Sequence, residues 1–80
     1  MHYVHLLESG RFEGRRYVGT TGDLKRRLAE HNAGKSPHTS KFVPWRLVTY
    51  VAFSDEARAT EFARYLKSGS GHAFANKRLW

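Results

Sequence analysis

Hydrophobic and polar positions alternate in two segments near the start of the chain, residues 3–8 and 16–19. Both segments are rich in residues that suit a pleated surface, and the stretch between them contains two glycines, so the pattern predicts a β-hairpin. Alternation gives Tyr17 and Gly19 a common face and, in a suitable register, places His5 beside Tyr17. Two interpretations of His5 are open at this point, a packing partner across the strands or a group with a chemical role.

A helical period follows directly after the second strand. Positions i, i+3, i+4 and i+7 share one face of a helix, and this face carries two polar residues beside two leucines that must be buried. A guanidinium held against apolar surface needs a partner or a ligand. The alternative is that the arginine extends past the core and the histidine complements the dipole at the helix end. The four residues are Leu24, Arg27, Leu28 and His31.

Both ends of this first helix are marked. Thr21 is expected to cap its N-terminus, and Asp23 to place a negative charge in its first turn, where free N–H groups favour an anion. Gly34 tolerates a positive φ and is expected to follow the last helical residues. The polar and basic loop at residues 34–41 has two interpretations, a solvated connection or a segment that follows nucleic-acid phosphates.

Residues 47–53 are the most strand-like run of the chain, and we expect this strand at the centre of the sheet. Ser54 is then expected to cap a second helix, with Asp55 and Glu56 in its first turn. The same helical spacing predicts a buried stripe on this helix, formed by Ala59, Phe62, Ala63 and Leu66.

The end of the chain favours one more short helix. Two Ser-Gly pairs at residues 68–71 are expected to break the second helix. Residues 72–80 follow, with Phe74 and Trp80 as candidates to cover the sheet. Together these elements predict an α/β fold of the α+β type, in which a small sheet made of the hairpin and a central third strand is flanked by helices.

The charge balance points to a class of partner. Fourteen Lys and Arg against seven Asp and Glu give a formal net charge of +7 in 80 residues, enough chain for a single domain, residues 1–80. Such an excess favours a polyanion, and we expect nucleic acid rather than a membrane because no apolar run is long enough to span one. The chain has no cysteine, which excludes disulfides and thiolate metal sites and leaves the redox compartment open. No positively charged and apolar leader precedes the first strand, so a cytoplasmic location is expected.

Several segments together resemble the GIY-YIG nuclease superfamily, in the manner of its small single-domain bacterial members. The second half of the family signature is similar to residues 17–19 (Tyr-Val-Gly) and the residues that follow them. Arg27 comes eight residues after the glycine, and His31 follows one helical turn later. Residues 3–9 occupy the place of the first half, and residues 65–69 resemble the end of the later helix. The combined pattern covers nearly the whole chain and is more specific than any one segment.

The resemblance implies an endonuclease that hydrolyses nucleic-acid phosphodiester bonds, with DNA as the expected substrate and Mg²⁺ or another divalent metal as cofactor. It implies that the motif tyrosines position or deprotonate water, that the helix arginine stabilises charge on the phosphate, and that a glutamate on the later helix holds the metal. Carried onto this sequence, the tyrosine is Tyr17, the arginine is Arg27 and the histidine one turn further is His31. A guanidinium that binds two phosphate oxygens agrees with this role.

Two positions depart from the family pattern. His5 stands in place of the tyrosine of the first half, and a neutral imidazole is a better general base at neutral pH than a phenol. Ala63 stands in place of the metal-binding glutamate and offers no oxygen to a hard cation. Glu61 is expected to point to the opposite side of the helix and Glu56 to lie two turns away, so neither replaces it.

Three explanations of Ala63 are open: a natural variant that has lost catalysis and kept nucleic-acid binding, a deliberate substitution, or an incorrect alignment of the helix. The resemblance therefore implies a metal-dependent endonuclease with Tyr17, Arg27, His31 and His5 as catalytic residues, in which Ala63 could leave this chain inactive. The alternative is a non-catalytic nucleic-acid-binding module of the same fold. Five further basic residues are expected to contact the nucleic acid: Lys25, Arg26, Lys35, Lys41 and Lys67.

Overall fold

The computed structural model describes all 80 residues, which form one antiparallel sheet and three α-helices. This is the predicted α+β fold. The helices span nine to eleven residues, and none has the length and apolar character to cross a membrane. In chain order the elements are β1 (His2–Ser9), β2 (Arg16–Thr21), α1 (Leu24–Asn32), a 3₁₀ turn (Ser40–Phe42), β3 (Trp45–Phe53), α2 (Glu56–Leu66) and α3 (Gly69–Arg78).

The central strand of the sheet is β1, which pairs with β2 on one side and with β3 on the other. The prediction that the third strand lies at the centre is therefore wrong. Residues 4–7 of β1 are all buried, whereas Tyr50 of β3 is 52% exposed at the sheet edge. Apolar and β-branched content favours a strand, but the same content occurs in central and edge strands, so it could not fix the strand order.

The main core lies between the sheet and the two later helices. The stripe predicted on α2 is confirmed, although Phe62 is only partly buried. Trp80 packs against this core as predicted. Phe74 is 39% exposed and its ring lies 6.1 Å from that of Tyr65, so it covers a helix rather than the sheet. The buried core residues are Val4, Leu6, Ala59, Ala63, Leu66 and Ala75.

Two helices begin later than the sequence predicted. Asp23 caps α1, because its carboxylate accepts the backbone N–H three residues further on at 3.0 Å. Thr21 instead accepts the N–H of Asp23 at 3.1 Å and belongs to the preceding turn. Asp55 rather than Ser54 caps α2, by accepting the N–H two residues further on at 3.0 Å. Aspartate and the hydroxyl residues are comparable caps, so their order along the chain does not choose between them.

The turn between α2 and α3 both ends one helix and begins the next. Ser68 caps α3 by accepting the N–H of Gly71 at 3.3 Å. A Cβ on Gly71 would lie 1.7 Å from the backbone oxygen of Tyr65, so α3 crosses α2 here at a distance that only glycine permits. At the end of α1, Gly34 has a φ of 75°, which confirms the predicted helix stop.

Candidate active site

Three rings from three elements meet beside the hairpin. His5 comes from β1, Tyr17 from β2 and His31 from the last turn of α1. The ring centroids are 4.9 Å apart for Tyr17 and His31, 6.0 Å for His5 and Tyr17, and 6.0 Å for His5 and His31. The two histidines are 2% and 0% exposed, and Tyr17 is partly exposed. Three of the four predicted catalytic residues therefore form one cluster.

Gly19 makes this approach of the rings possible. It lies directly opposite His5 in the hairpin register, while Tyr17 lies opposite Leu7. A Cβ on Gly19 would lie 2.8 Å from Cε2 of Tyr17 and 2.9 Å from Nε2 of His5. The glycine of the Tyr-Val-Gly motif therefore leaves the space that the two rings occupy.

His31 is oriented by a residue that the sequence analysis missed. Thr39 is 2% exposed, and a hydrogen bond of 2.8 Å joins its Oγ1 to Nδ1 of His31. The indole N–H of Trp45 donates to the backbone oxygen of Thr39 at 2.9 Å. The loop at residues 34–41 is therefore not wholly solvated, because this threonine anchors it, while Lys35 and Lys41 remain exposed. Its polar composition gave no sign of this burial, and the one available signal was the need of His31 for a partner.

Asn32 is hydrogen-bonded to the backbone of Trp45, where the chain leaves this loop and enters β3. Its side-chain amide donates to the backbone oxygen of Trp45 at 3.0 Å and accepts the Trp45 N–H. This pair of bonds ties the end of α1 to the start of β3, so the helix that carries His31 is fixed relative to the sheet.

Three ring nitrogens in the cluster are buried without a hydrogen-bond partner. They are Nδ1 and Nε2 of His5 and Nε2 of His31. An unpaired buried polar atom costs about 1–3 kcal/mol, so native proteins rarely keep several together unless the atoms have a use. The cluster can offer these nitrogens to a water molecule or a reacting group.

The electrostatic environment keeps both imidazoles neutral. Burial, and then the charges of His31, Arg27 and Lys67, lower the pKa of His5 from 6.5 to about 4. Burial also lowers the pKa of His31, as does the charge of Arg27, while the carboxylate of Glu30 acts in the opposite direction. A neutral imidazole has one nitrogen that accepts a proton, so each ring can act as an acceptor at neutral pH.

Arg27 is the fourth predicted catalytic residue, and its partner is Glu30. One guanidinium nitrogen of Arg27 donates to Oε1 of Glu30 at 3.3 Å, and Nε of Arg26 lies 3.4 Å from Oε2 of the same carboxylate. The bond from Arg27 lowers the pKa of Glu30. A guanidinium has five N–H donors, so Arg27 keeps donors for a phosphate beside its bond to Glu30.

The structure does not fit the divalent metal that the resemblance implies. Ala63 lines a cleft together with Gly19, so its position faces the site but carries no oxygen. Glu61 is exposed on α2, and Glu56 lies 3.8 Å from His2. No group of three His, Cys, Asp or Glu side chains is placed to hold a metal ion.

The five basic residues expected to contact nucleic acid occupy two clefts and two further exposed positions. Arg26 and Lys35 line a common cleft beside Glu30. Lys67 lies elsewhere, in the cleft that contains Ala63. Lys25 and Lys41 are exposed and line neither cleft. Three of the five residues thus line a cleft, Arg26 and Lys35 one of them and Lys67 the other.

Comparison with known proteins gives consistent matches. A "UPF0213 protein" from Lacticaseibacillus paracasei is 38% identical over 71 residues, which cover 88% of this chain and 75% of that protein. The "structure-specific endonuclease subunit SLX1 homolog" of Giardia intestinalis is 38% identical over 64 residues, 75% of this chain but 18% of that longer protein. The solution structure of the UPF0213 protein BH0048 from Bacillus halodurans matches with a TM-score of 0.56 and 32% identity, over 95% of this chain and 82% of that one.

The match to a protein family extends over nearly the whole sequence. The profile of the family described as "GIY-YIG catalytic domain" matches residues 1–77. The strands and helix that carry His5, Tyr17, Arg27 and His31 all lie inside this match. This chain therefore belongs to the GIY-YIG catalytic domain family.

Proposed function

We propose that this chain is an endonuclease that hydrolyses phosphodiester bonds in DNA. The observation that carries the proposal is the ring cluster of His5, Tyr17 and His31, in which three buried nitrogens have no partner. Family membership and the name of the Giardia relative, a structure-specific endonuclease subunit, support the same reaction class. The net charge of +7 supports a nucleic-acid substrate.

His5 is the proposed general base. Because its pKa is about 4, the ring is neutral at neutral pH and can accept a proton from a water molecule as that water attacks phosphorus. The P–O bond to the leaving nucleotide oxygen breaks as the new P–O bond forms, and the leaving oxygen takes a proton from solvent. A bound phosphate brings negative charge near the ring, which raises the pKa toward the working pH. In this proposal the Tyr17 hydroxyl orients the water, and His31, held by Thr39, keeps the tyrosine ring in place.

Arg27 is proposed to stabilise the charge that develops on the phosphate oxygens. A planar guanidinium can donate to two oxygens at once, and fixed positive charge gains most where negative charge builds up in the transition state. The ion pair with Glu30 sets the position of the guanidinium before the substrate arrives. All of these steps use side chains of the chain itself, since Ala63 provides no oxygen for a cation.

Replacement of Arg27 tests the proposal against a matched arginine. Arg26 pairs with the same carboxylate, so Arg26→Ala removes an equal charge and a similar ion pair. On a panel of labelled single-stranded, duplex and branched DNA, we expect Arg27→Ala to lower the cleavage rate about 100- to 1,000-fold. Arg26→Ala should leave most cleavage intact, and both variants should weaken DNA binding by similar, small amounts. Equal losses of cleavage would make Arg27 a binding residue only.

Ala63 favours a second candidate function, a DNA-binding module of the same fold that does not cut. In that case the unaltered chain binds every DNA of the panel without cleavage, and Ala63→Glu with Mg²⁺ gains the ability to cut. Under the endonuclease proposal the unaltered chain cuts at least one DNA of the panel. The two functions are therefore separated by the unaltered protein alone.

A further inference from the structure

A cleft of about 240 Å³ lies between β2 and α2, beside the ring cluster. Its wall includes Gly19, whose backbone also lies against the His5 ring, so the cleft and the cluster share a residue. Ala63 keeps the cleft open because its side chain ends at Cβ. The lining residues are Gly19, Thr20, Thr60, Ala63, Arg64 and Lys67.

The charges in this cleft are all positive. Arg64 and Lys67 line it, neither forms an ion pair, and no carboxylate belongs to the lining. Lys67 also lines a neighbouring cleft of about 360 Å³ together with Tyr17. Lys67 thus lines both the cleft that contains Ala63 and the cleft that contains Tyr17.

The backbone that carries Lys67 is held firmly. Lys67 caps the C-terminus of α2, and its N–H donates to the Arg64 oxygen at 3.1 Å. The next residues turn at once into α3, which packs on α2 through Gly71. The Lys67 charge reaches the ring cluster, since it contributes to the lowered pKa of His5.

We propose that this cleft binds a DNA phosphate through the Lys67 ammonium, and that this binding needs no divalent cation. The inference rests on the proposed function. A lysine ammonium is a compact positive charge that binds phosphate well. An acidic residue at position 63 would itself attract the ammonium of Lys67, whereas alanine leaves the lysine free to meet the phosphate directly.

The test compares two lysines and two ionic conditions. Affinity for a short fluorescein-labelled DNA strand is measured in EDTA and in MgCl₂, in the cold and for times too short for the strand to be cut. Lys67→Gln is compared with Lys77→Gln, which removes the same charge from the last turn of α3 and lines neither cleft. Both lysines are exposed, and backbone amide spectra verify that each variant keeps the fold.

The unaltered chain should bind the strand in EDTA, and MgCl₂ should only weaken binding through screening. Lys67→Gln should lower the affinity about tenfold, and Lys77→Gln much less. Ala63→Glu should weaken binding in EDTA, because the carboxylate competes with the phosphate for Lys67. Inorganic phosphate should shift the amide signals of Gly19 and Ala63 in the unaltered chain and not in Lys67→Gln.

Two results would overturn this inference. One is an affinity that appears only with Mg²⁺, which would mean that another group holds a metal. The other is equal affinity of the two lysine variants for the DNA strand, which would make Lys67 part of the general basic surface.

Cleavage assays on the same samples separate this inference from the proposed function. A chain that cuts but binds only with Mg²⁺ refutes the cleft alone, and one that binds in EDTA but never cuts refutes the catalysis alone.

Discussion

At the scale of single residues, the geometry of the site depends on one absent side chain and one buried hydroxyl. Gly19 leaves room for the rings of His5 and Tyr17, and Thr39 fixes the ring of His31. Strand alternation placed His5 beside Tyr17, because it depends on local backbone geometry. The family resemblance, rather than spacing, joined His31 to them. The Thr39 contact could not be predicted, since it is made by a loop whose path is set by tertiary packing.

Gly19→Ala tests the close packing of the rings. The new methyl group would meet Tyr17 at 2.8 Å and His5 at 2.9 Å, so both rings must move. We expect the free energy of unfolding, measured in urea, to fall by about 1–3 kcal/mol and DNA cleavage to be largely lost. Gly22→Ala is the matched control, because nothing lies within 4 Å of its Cβ. If Gly19→Ala and Gly22→Ala behaved alike, the rings would not be constrained by this glycine.

The buried His5 should make stability depend on pH. The unfolded chain binds a proton on His5 near pH 6.5, whereas the folded protein binds it only near pH 4. The free energy of unfolding should therefore be highest above pH 6.5 and fall by roughly 3 kcal/mol as the pH drops from 6.5 to about 4. His31 adds a change of the same sign. In urea denaturation, the free energy of unfolding of His5→Gln should fall less with decreasing pH than that of the unaltered protein. An equal fall in both proteins would contradict the lowered pKa of His5.

At the scale of elements, the helix spacings were more informative than the helix ends. The apolar stripe of α2 and the Arg27–His31 face of α1 follow from a fixed period of the backbone. The caps at Asp23 and Asp55 were displaced from the predicted residues because several neighbouring side chains can cap equally well. The edge position of β3 could not be inferred, since pairing partners distant in sequence decide strand order.

The crossing of α2 and α3 depends on Gly71, and two glycines of the same helix turn test it. A Cβ on Gly71 would lie 1.7 Å from the Tyr65 oxygen, whereas nothing lies within 4 Å of a Cβ on Gly69. Gly71→Ala should cost about 3 kcal/mol or more and separate the helices. Gly69→Ala should stay within about 1 kcal/mol of the unaltered protein, because alanine favours the helix. Thermal unfolding of both variants provides the comparison, and a small effect of Gly71→Ala would mean that the helices are not closely packed.

At the scale of the whole molecule, the groups of the proposed DNA site are arranged around Gly19. The ring cluster and the cleft at Lys67 lie on either side of Gly19, with Arg27 on the neighbouring helix. The overall charge predicted a polyanionic partner, and the motif spacing predicted the protein family, because charge and spacing are both properties of the sequence alone. The distribution of Arg26, Lys35 and Lys67 over two clefts is a property of the fold, which composition cannot reveal.

The most direct test of the central claim is a map of where DNA binds on the unaltered protein. Backbone amide signals are followed by NMR while a short DNA strand is added in EDTA at low temperature. The account predicts the largest shifts at Gly19, Arg27, Ala63 and Lys67, and little change at Tyr50 on the outer edge of the sheet. Shifts confined to β3 or to the hairpin loop at residues 10–15 would place the DNA elsewhere and contradict the account.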